Sequence, residues 1–334
     1  MTYVIYGAGA IGATIGGQLA AAGLPVSLIA RGDHARAMAA SGLELRTPAG
    51  VATHRLPVFE HPGEAGLRPE DVVLLCTKSQ DSAAVLDALA ATGFDGAVVC
   101  AQNGVDNERQ ALRRFEAVYG MCVQLPGTFL EPGKVSCHGA PALGCLDVGR
   151  YPHGTDATSD TLAAALRAGG FQSESIPDIM ASKYAKLLGN LGNALDAAVG
   201  RGAMGSELAK AARREGRACF EAAGIACRDQ AAYAERVKDV GIVALDGVPA
   251  RGSSSWQSLV KGSGSIEADF LNGEIVLLGR LHGVPTPVNA VLQRVANDAA
   301  RTRRPPHSYR LEDIEALVTA ERERTGSPAT PSRR

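Results

Sequence analysis

The chain opens with Tyr3-Val4-Ile5-Tyr6-Gly7-Ala8-Gly9-Ala10-Ile11-Gly12, a short apolar run that leads directly into a G-x-G-x-x-G turn. In such a turn the first glycine permits a tight bend, the second lets the backbone approach a pyrophosphate, and the third lets the following helix pack on its strand. The helix predicted from about Ala10 to Ala22 directs its N–H groups and positive dipole end at the phosphates. Glycine-rich turns also occur for steric reasons alone, but the strand before and the helix after favour a dinucleotide site. Its predicted residues are Gly7, Ala8, Gly9, Ala10, Ile11 and Gly12.

The composition is that of a globular protein with more than one core. The chain has 334 residues, of which 46% are hydrophobic and 21% are charged, and this length favours two domains. The formal net charge of −1 gives no electrostatic reason to bind nucleic acid or an anionic membrane. No apolar run reaches the length of a membrane span. We therefore expect a small-molecule partner, no nucleic acid and no membrane, and the sequence leaves a homodimer open.

Seven cysteines are scattered along the chain, and none forms a C-x-x-C pair. Cys76 and Cys100 lie in apolar runs, where a free thiol behaves as a small hydrophobic group. An odd number of cysteines without metal-type spacing predicts neither a disulfide framework nor a zinc site, and it indicates a reducing compartment. Because the first strand already begins at residue 3, no targeting signal is predicted and a cytoplasmic location is the expectation.

The second predicted strand, Val26 to Ala30, ends where the adenosine ribose of a dinucleotide is usually recognised. NAD and FAD sites commonly place an acidic residue there, whereas this chain places Arg31. A guanidinium suits a 2′-phosphate, which favours NADP(H). The alternatives are an exposed loop arginine at this position and an NAD site that uses the nearby Asp33.

Two further apolar runs, Asp71 to Cys76 and Ala97 to Cys100, are typical of strands in a parallel sheet that is covered on both faces. Lys78 follows the first run and Asn103 follows the second. Ligands of open α/β sheets bind beyond the carboxyl ends of the strands. Lys78 is therefore a candidate for binding phosphate or ribose and Asn103 for orienting a nicotinamide; a solvated lysine and an ordinary Asn-Gly turn are the alternatives.

The order of elements predicts the domains. Leu43 to Arg46 and Val51 to Val58 flank a Pro-Ala-Gly turn and predict a hairpin, and strands alternate with helices up to about residue 178. Beyond that point the pattern is helical almost throughout. We predict an α/β Rossmann-type doubly wound sheet over 1–177 and an all-helical substrate and catalytic domain over 178–302. Residues 303–334 are predicted to form a C-terminal helix and a disordered Pro/Ser/Arg tail.

The helical half contains Lys183-Tyr184-Ala185-Lys186-Leu187-Leu188-Gly189-Asn190-Leu191-Gly192-Asn193-Ala194-Leu195. On one continuous helix Lys186, Asn190 and Asn193 would fall within roughly 40° of one another, beside an apolar face. Asparagine is a poor helix former that is unfavourable in an apolar helix unless it bonds something. The stripe therefore indicates one wall of a polar ligand site, and amides that bond neighbouring helices in a core are the alternative.

A later stretch, Ser253 to Gly273, combines serines, one tryptophan and acidic residues. Its structural interpretation is simple: Ser265 caps a helix and Glu267 lies in the first turn of that helix, where the dipole favours a carboxylate. The three serines before Trp256 would mark another helix start. On this interpretation neither segment carries chemistry.

Taken together, these stretches resemble the ketopantoate reductase (2-dehydropantoate 2-reductase) family over residues 1 to about 300. The matching pieces are Gly7 to Gly12, Arg31-Gly32, Lys78 with Gln80, Asn103-Gly104, Lys186-Leu187 with Asn190, Ser254-Ser255, Ile266-Glu267-Ala268-Asp269 and Leu271-Asn272-Gly273. The resemblance implies an NADP-dependent oxidoreductase of pantothenate biosynthesis that reduces ketopantoate, a 2-oxo acid, to pantoate.

The resemblance also implies roles for the residues at matching positions. Arg31 and Lys78 would bind the 2′-phosphate end of NADPH, Asn103 and Glu267 would contact its reacting end, Lys186 would be the catalytic acid, and Asn190 and Ser255 would hold the substrate. These residue types suit the reaction, because an ammonium group both stabilises charge on the keto oxygen and supplies its proton.

The chain departs from the family at its substrate positions. Ala194 stands where members that reduce ketopantoate usually carry a second substrate asparagine, and Asn193, about 20° from Lys186 on a continuous helix, is the predicted substitute. A further substrate asparagine is absent near Met204, and Trp256 stands where methionine is common. A different 2-oxo acid and a non-catalytic NADP(H)-binding sensor therefore stay open as alternatives.

Overall fold

The computed structural model describes residues 1–245 and 252–326. The chain divides into two compact units. The first unit is Met1–Ala185 with Arg228–Ala250, and the second is Lys186–Cys227 with Arg251–Arg334. None of the helices in the described ranges combines the length and apolar character that crossing a bilayer requires.

The described strands all belong to the first unit. They are β1 Tyr3–Tyr6, β2 Val26–Ile29, β3 Leu43–Thr47, β4 Gly50–His54, β5 Val58–Phe59, β6 Val72–Leu75, β7 Ala97–Cys100, β8 Val118–Gln124, β9 Gly127–Glu131, β10 Lys134–Cys137, β11 Gly139–Pro141, β12 Cys145–Arg150 and β13 Val240–Ile242. The described helices are α1 Ala10–Ala21, α2 Gly32–Ser41, α3 Ser82–Ala90, α4 Asn107–Leu112, α5 Ala157–Ala168, α6 Ile179–Asn190, α7 Asn193–Ala198, α8 Glu207–Ala222, α9 Gln230–Arg236, α10 Ser254–Lys261, α11 Asn272–His282, α12 Pro287–Arg301 and α13 Leu311–Thr325.

Seven of these strands form the main sheet, in the order β12-β8-β7-β6-β1-β2-β5. Every neighbouring pair is parallel except β12 with β8. The chain passes from β1 to β2 on one side and later places β6 on the other side of β1. The strand order therefore reverses between β1 and β6, and in an open α/β sheet this switch point marks the ligand crevice.

Residues of β1 alternate between two hydrophobic cores, one on each face of the main sheet. Tyr3 and Ile5 belong to one core, and Val4 and Tyr6 belong to the other. Because both faces are covered, the strand is apolar at every position. The Rossmann-type sheet predicted from the apolar runs is confirmed, as is the helical character of the C-terminal region.

The predicted hairpin is confirmed for the pairing of its two strands and wrong for the length of the second strand. β3 and β4 pair antiparallel as expected, but the predicted second strand does not continue to Val58. Instead β5 pairs with β2 in the main sheet. Pro57 interrupts the run, because a proline cannot donate to a strand ladder.

The predicted continuous helix over 183–195 is wrong. Helix α6 ends at Asn190 and α7 begins at Asn193, with a turn at Leu191 and Gly192. The amide of Asn272 donates to the Leu191 carbonyl oxygen at 3.1 Å, and a side chain that binds a helix carbonyl is a common cause of a break. A glycine at position 192 also weakens the helix locally.

The chain returns to the first unit after α8. Arg236 of α9 donates to both carboxylate oxygens of Asp147 in β12, at 2.6 and 2.9 Å, and β13 pairs antiparallel with β11. Strand β13 is thus an exception to the helical pattern expected beyond residue 178. Helix α13 confirms the predicted C-terminal helix, while the predicted disordered tail, residues 327–334, lies outside the described residues.

Candidate functional site

The glycine turn follows β1 at the switch point, and packing alone requires two of its glycines. Gly7 has φ +101°, and a Cβ atom there would lie 2.7 Å from the backbone nitrogen of Thr77. A Cβ atom on Gly12 would lie 2.3 Å from the carbonyl oxygen of Gly7. The fold therefore excludes a side chain at both positions.

Gly9 is different, because nothing in the fold requires it to be glycine. Its φ is −74°, which any residue adopts, and a Cβ atom would meet nothing within 4 Å. Gly9 is the N-cap of α1, where no side chain caps the helix and no acidic residue occupies the first turn. An open, uncapped helix N-terminus of this kind can bind a phosphate group.

Arg31 lies directly after β2 as the N-cap residue of α2, and its side chain is exposed. Burial raises the pKa of the Tyr6 hydroxyl, and the Arg31 guanidinium partly offsets this rise, which places its positive charge near the end of β1. Asp33, the acidic alternative for a ribose hydroxyl, is paired with Arg36 at 2.5 Å. Arg31, rather than an acidic residue, therefore stands at the carboxyl end of β2, and the nearest acidic residue of α2 is engaged with Arg36.

His34 is a buried residue of this region that the sequence reasoning missed. Its Nδ1 accepts from the Gly133 N–H at 2.8 Å, so Nε2 carries the proton and donates to the Ala8 carbonyl oxygen at 2.6 Å. The ring also packs against Phe129, with 4.1 Å between the centroids. His34 thus ties α2, which begins after Arg31, to the glycine turn. Nothing in the linear sequence signals a contact with residues so distant.

A buried polar network lies beyond the carboxyl ends of β6 and β7. Gln102 Nε2 donates to Ser82 Oγ at 2.8 Å, and Ser82 Oγ donates to Asn107 Oδ1 at 2.7 Å. Asn107 Nδ2 donates to the Asn103 carbonyl oxygen at 2.9 Å, and Ser79 Oγ donates to the same oxygen at 3.3 Å. The network fixes the backbone from which the half-buried Asn103 side chain extends.

The predicted cofactor residues of the first unit lie along one edge of the main sheet. The glycine turn follows β1, Arg31 follows β2, Lys78 follows β6 and Asn103 follows β7. Lys78 is half-buried and is the N-cap residue of the 3-10 helix Ser79–Asp81. Because these four strands are parallel, their carboxyl ends share one edge.

In the second unit the break between α6 and α7 changes the predicted polar stripe. Lys186 and Asn190 are half-buried and one turn apart on α6, where side chains share a face. Asn193 is buried and begins α7. The helical-wheel relation between Lys186 and Asn193 is therefore wrong, because no continuous helix joins them.

Ser255 is buried in the first turn of α10. The N-cap residue Ser253 accepts from the Trp256 N–H at 3.2 Å, so the serines do mark a helix start. The N–H of Ser253 donates to Asp196 Oδ2 at 2.6 Å, and its hydroxyl donates to the Asn193 carbonyl oxygen at 3.5 Å. Asp196, a buried residue that sequence reasoning missed, thus holds the start of α10 against α7.

Glu267 is only 3% exposed and begins the 3-10 helix Glu267–Phe270. Its N-cap residue is Ile266, so the expected cap at Ser265 is wrong. A carboxylate at this depth is unfavourable unless it is hydrogen-bonded. A helix dipole favours a carboxylate in the first turn whether or not that carboxylate is buried. The dipole therefore does not explain why Glu267 is buried.

Two buried asparagines support the break between α6 and α7. Asn272, which bonds the Leu191 carbonyl, also donates to Asn289 Oδ1 at 3.0 Å. Asn289 Nδ2 in turn donates to Glu215 Oε2 at 2.8 Å; burial is the largest influence on Glu215 and raises the pKa of its carboxyl. This chain of bonds fixes the turn between the predicted substrate residues Asn190 and Asn193.

Two family models match the chain. The model described as ketopantoate reductase PanE/ApbA matches residues 3–152, and the model of its C-terminal part matches residues 178–300. The two matches cover more than half of the chain. The chain belongs to the ketopantoate reductase PanE/ApbA family. It is therefore an oxidoreductase of a dinucleotide-binding family.

Individual relatives agree with this assignment. The 2-dehydropantoate 2-reductase of Pyrococcus horikoshii is 27% identical over 297 residues, which are 87% of this chain and 95% of that protein. The PanE/ApbA family ketopantoate reductase structure from Ralstonia eutropha is 28% identical, has a TM-score of 0.75, and the match covers 91% of this chain and all of that one. D-mandelate dehydrogenase, solved with NADH and anilino(oxo)acetate, has a TM-score of 0.76 at 21% identity over 91% of this chain and all of that one. At that identity the likeness concerns the fold alone.

Proposed function

We propose that this protein catalyses the NADPH-dependent reduction of a small 2-oxo acid to the 2-hydroxy acid, with ketopantoate as the leading substrate and pantoate as its product. The observation that carries the proposal is the single sheet edge that presents the glycine turn, Arg31, Lys78 and Asn103. Residues 1–177 would bind NADP(H), residues 178–302 would hold the substrate, and residues 303–334 add the C-terminal helix and tail.

The residues present fit a 2′-phosphorylated dinucleotide. Gly9 leaves open space above an uncapped helix N-terminus, which suits the pyrophosphate. The exposed guanidinium of Arg31 suits the 2′-phosphate, and the carboxylate of Asp33, which would repel that phosphate, is paired with Arg36. NADP(H) is therefore the cofactor we propose over NAD(H).

In the proposed mechanism NADPH, when bound, would supply the hydride that the keto carbon accepts. The Lys186 ammonium stabilises the charge that develops on the keto oxygen and then donates a proton to that oxygen, which completes the hydroxyl group. Asn190, Asn193 and Ser255 bind the polar groups of the substrate. Asn103 and Glu267 would hold the reacting end of the cofactor.

The proposal is tested by measuring NADPH oxidation by the purified protein across a panel of 2-oxo acids that includes ketopantoate. We expect at least one acid to be turned over, and the ranking of kcat/KM identifies the substrate. Ala194, which is buried where family members usually place a substrate asparagine, favours a different branched or hydroxylated 2-oxo acid as the second candidate. Tight NADPH binding without oxidation by any acid would contradict catalysis and favour the sensor.

Arg31→Ala is expected to lower kcat/KM for NADPH by about 10-fold to 100-fold, because a charged hydrogen bond to the 2′-phosphate is lost. NADH lacks this phosphate, so kcat/KM for NADH is expected to stay within about twofold of the wild-type value. The measurement is the ratio of the two kcat/KM values. Arg113→Ala removes an exposed arginine that directly follows α4 and is the matched control. An unchanged ratio in Arg31→Ala would rule out its role at the 2′-phosphate.

A further inference from the structure

A buried ion pair stands behind the Asn103 turn, and neither of its members has a role in the proposed reaction. Lys183 of α6 is 3% exposed and Glu108 of α4 is fully buried. The Lys183 ammonium contacts Glu108 Oε1 directly. Burial raises the pKa of the Glu108 carboxyl, and the Lys183 ammonium opposes that rise.

The Lys183 ammonium also binds the end of β7. It donates to the Gln102 carbonyl oxygen at 3.0 Å and to the Cys100 carbonyl oxygen at 3.3 Å. Gln102 immediately precedes Asn103 in the chain, and Cys100 lies three positions before it. The three donors of one ammonium are thus directed at Glu108 and at the backbone that leads to Asn103.

Strand β8 packs directly against this pair. A Cβ atom on Gly120 of β8 would lie 3.4 Å from Glu108 Oε1 and 3.3 Å from a methyl group of Ile179, so the strand leaves no space for water beside the carboxylate at this point. The charges of Glu108 and Lys183 also act on the pKa of the nearby Cys100 thiol. Burial is the main cause that raises its pKa, the Glu108 carboxylate adds to the rise, and the Lys183 ammonium opposes it.

Stability alone does not explain why charges occupy this position. Removing two charges from water is costly, and well-packed apolar residues of similar volume are often as stable as a buried ion pair or more so. An apolar pair, however, cannot donate to the carbonyl groups of Cys100 and Gln102. The contribution specific to Lys183 is therefore the conformation of the backbone before Asn103.

We propose that Lys183, held by Glu108, is a positioning residue that fixes the turn after β7 so that Asn103 receives the nicotinamide end of the cofactor. This inference rests on the proposed function. Lys183 acts through the backbone of residues 100–103 and does not itself touch the cofactor. Its removal therefore weakens the binding of the nicotinamide end and leaves the binding of the adenosine end unchanged.

The experiment compares two ligands by calorimetry in the full-length protein. NADPH and 2′-phospho-ADP-ribose share every group except the nicotinamide. In Lys183→Met/Glu108→Leu, which removes both charges together, we expect the Kd of NADPH to rise about tenfold, whereas the Kd of 2′-phospho-ADP-ribose stays within about twofold. In an Asn103→Ala background the same two substitutions are expected to add nothing, since residues that act through one another are not additive.

The control is Arg236→Met/Asp147→Leu, which removes another largely buried ion pair of the first unit and is expected to leave the ratio of the two Kd values unchanged. Lys183→Gln is uncharged and has two N–H donors in place of three, so it cannot serve Glu108 and both carbonyl groups together. This single variant provides the same comparison if the paired variant does not fold. Equal weakening of both ligands, or no weakening of either, would overturn the inference. If the wild-type protein binds neither NADPH nor 2′-phospho-ADP-ribose, the proposed function itself is wrong.

Discussion

Lys186→Ala is expected to lower kcat by about 10²-fold to 10⁴-fold and to leave the Kd of NADPH within about twofold, because a general acid acts in the transition state rather than in cofactor binding. The variant loses both the positive charge near the keto oxygen and the proton that this oxygen receives. Lys186 is half-buried on α6, so its truncation leaves a small packing defect. The measurements are steady-state kcat with the best 2-oxo acid and NADPH binding by fluorescence.

The matched control is Lys210→Ala, which removes an exposed lysine of α8 that is paired with Glu207 at 2.7 Å. We expect this variant to keep wild-type kcat. Free ammonium or methylamine in the assay is expected to restore part of the activity of Lys186→Ala, since either cation carries a transferable proton. Near-normal turnover in Lys186→Ala would show that another group is the acid.

The features that could be predicted from the sequence depend on neighbouring residues. The apolar run Tyr3 to Tyr6 is short, and it is followed at once by glycines, so the strand, turn and helix follow from local sterics. The same holds for the apolar runs at β6 and β7, whose carboxyl ends place Lys78 and Asn103 on the edge of the glycine turn. A parallel sheet makes such residues neighbours through its topology alone.

The features that could not be predicted depend on partners far away in the chain. The break between α6 and α7 is held by Asn272, which lies 81 positions from the Leu191 carbonyl it bonds. His34 meets Gly133 across 99 positions. Helical periodicity contains no information about such contacts. A helical wheel therefore predicted that Lys186 and Asn193 share one helix face, although a turn separates their two helices.

The burial of charged side chains is the second feature that could not be predicted from the sequence. Lys183 and Lys186 look alike in the sequence, three positions apart on one helix. Lys183 is nevertheless fully engaged with Glu108 and two backbone carbonyl groups, whereas Lys186 is half-buried. The difference arises because Glu108 lies 75 positions earlier in the chain, and only the fold brings its carboxylate to α6.

Gly9→Ala is expected to separate cofactor binding from folding. The backbone at Gly9 has φ −74° and an extended ψ, and a new methyl group meets no atom within 4 Å. The free energy of unfolding should therefore stay within about 1 kcal/mol of the wild-type value, because alanine restricts the unfolded chain but is less favourable than glycine at an N-cap position. The methyl group would stand where the pyrophosphate approaches the start of α1, so we expect the Kd of NADPH to rise by at least about tenfold.

Gly12→Ala is the matched control, because it places the same methyl group one turn later on the packed side of the helix. There the Cβ atom would lie 2.3 Å from the Gly7 carbonyl oxygen and 2.7 Å from an Ile5 methyl group, and such overpacking costs about 1–3 kcal/mol of unfolding free energy or more. Chemical denaturation and NADPH titration of both variants give the comparison. If Gly9→Ala binds NADPH as tightly as the wild-type protein, the open space at Gly9 is not the pyrophosphate site. If it is instead destabilised as strongly as Gly12→Ala, its glycine serves the fold, and the distinction between the two glycines is wrong.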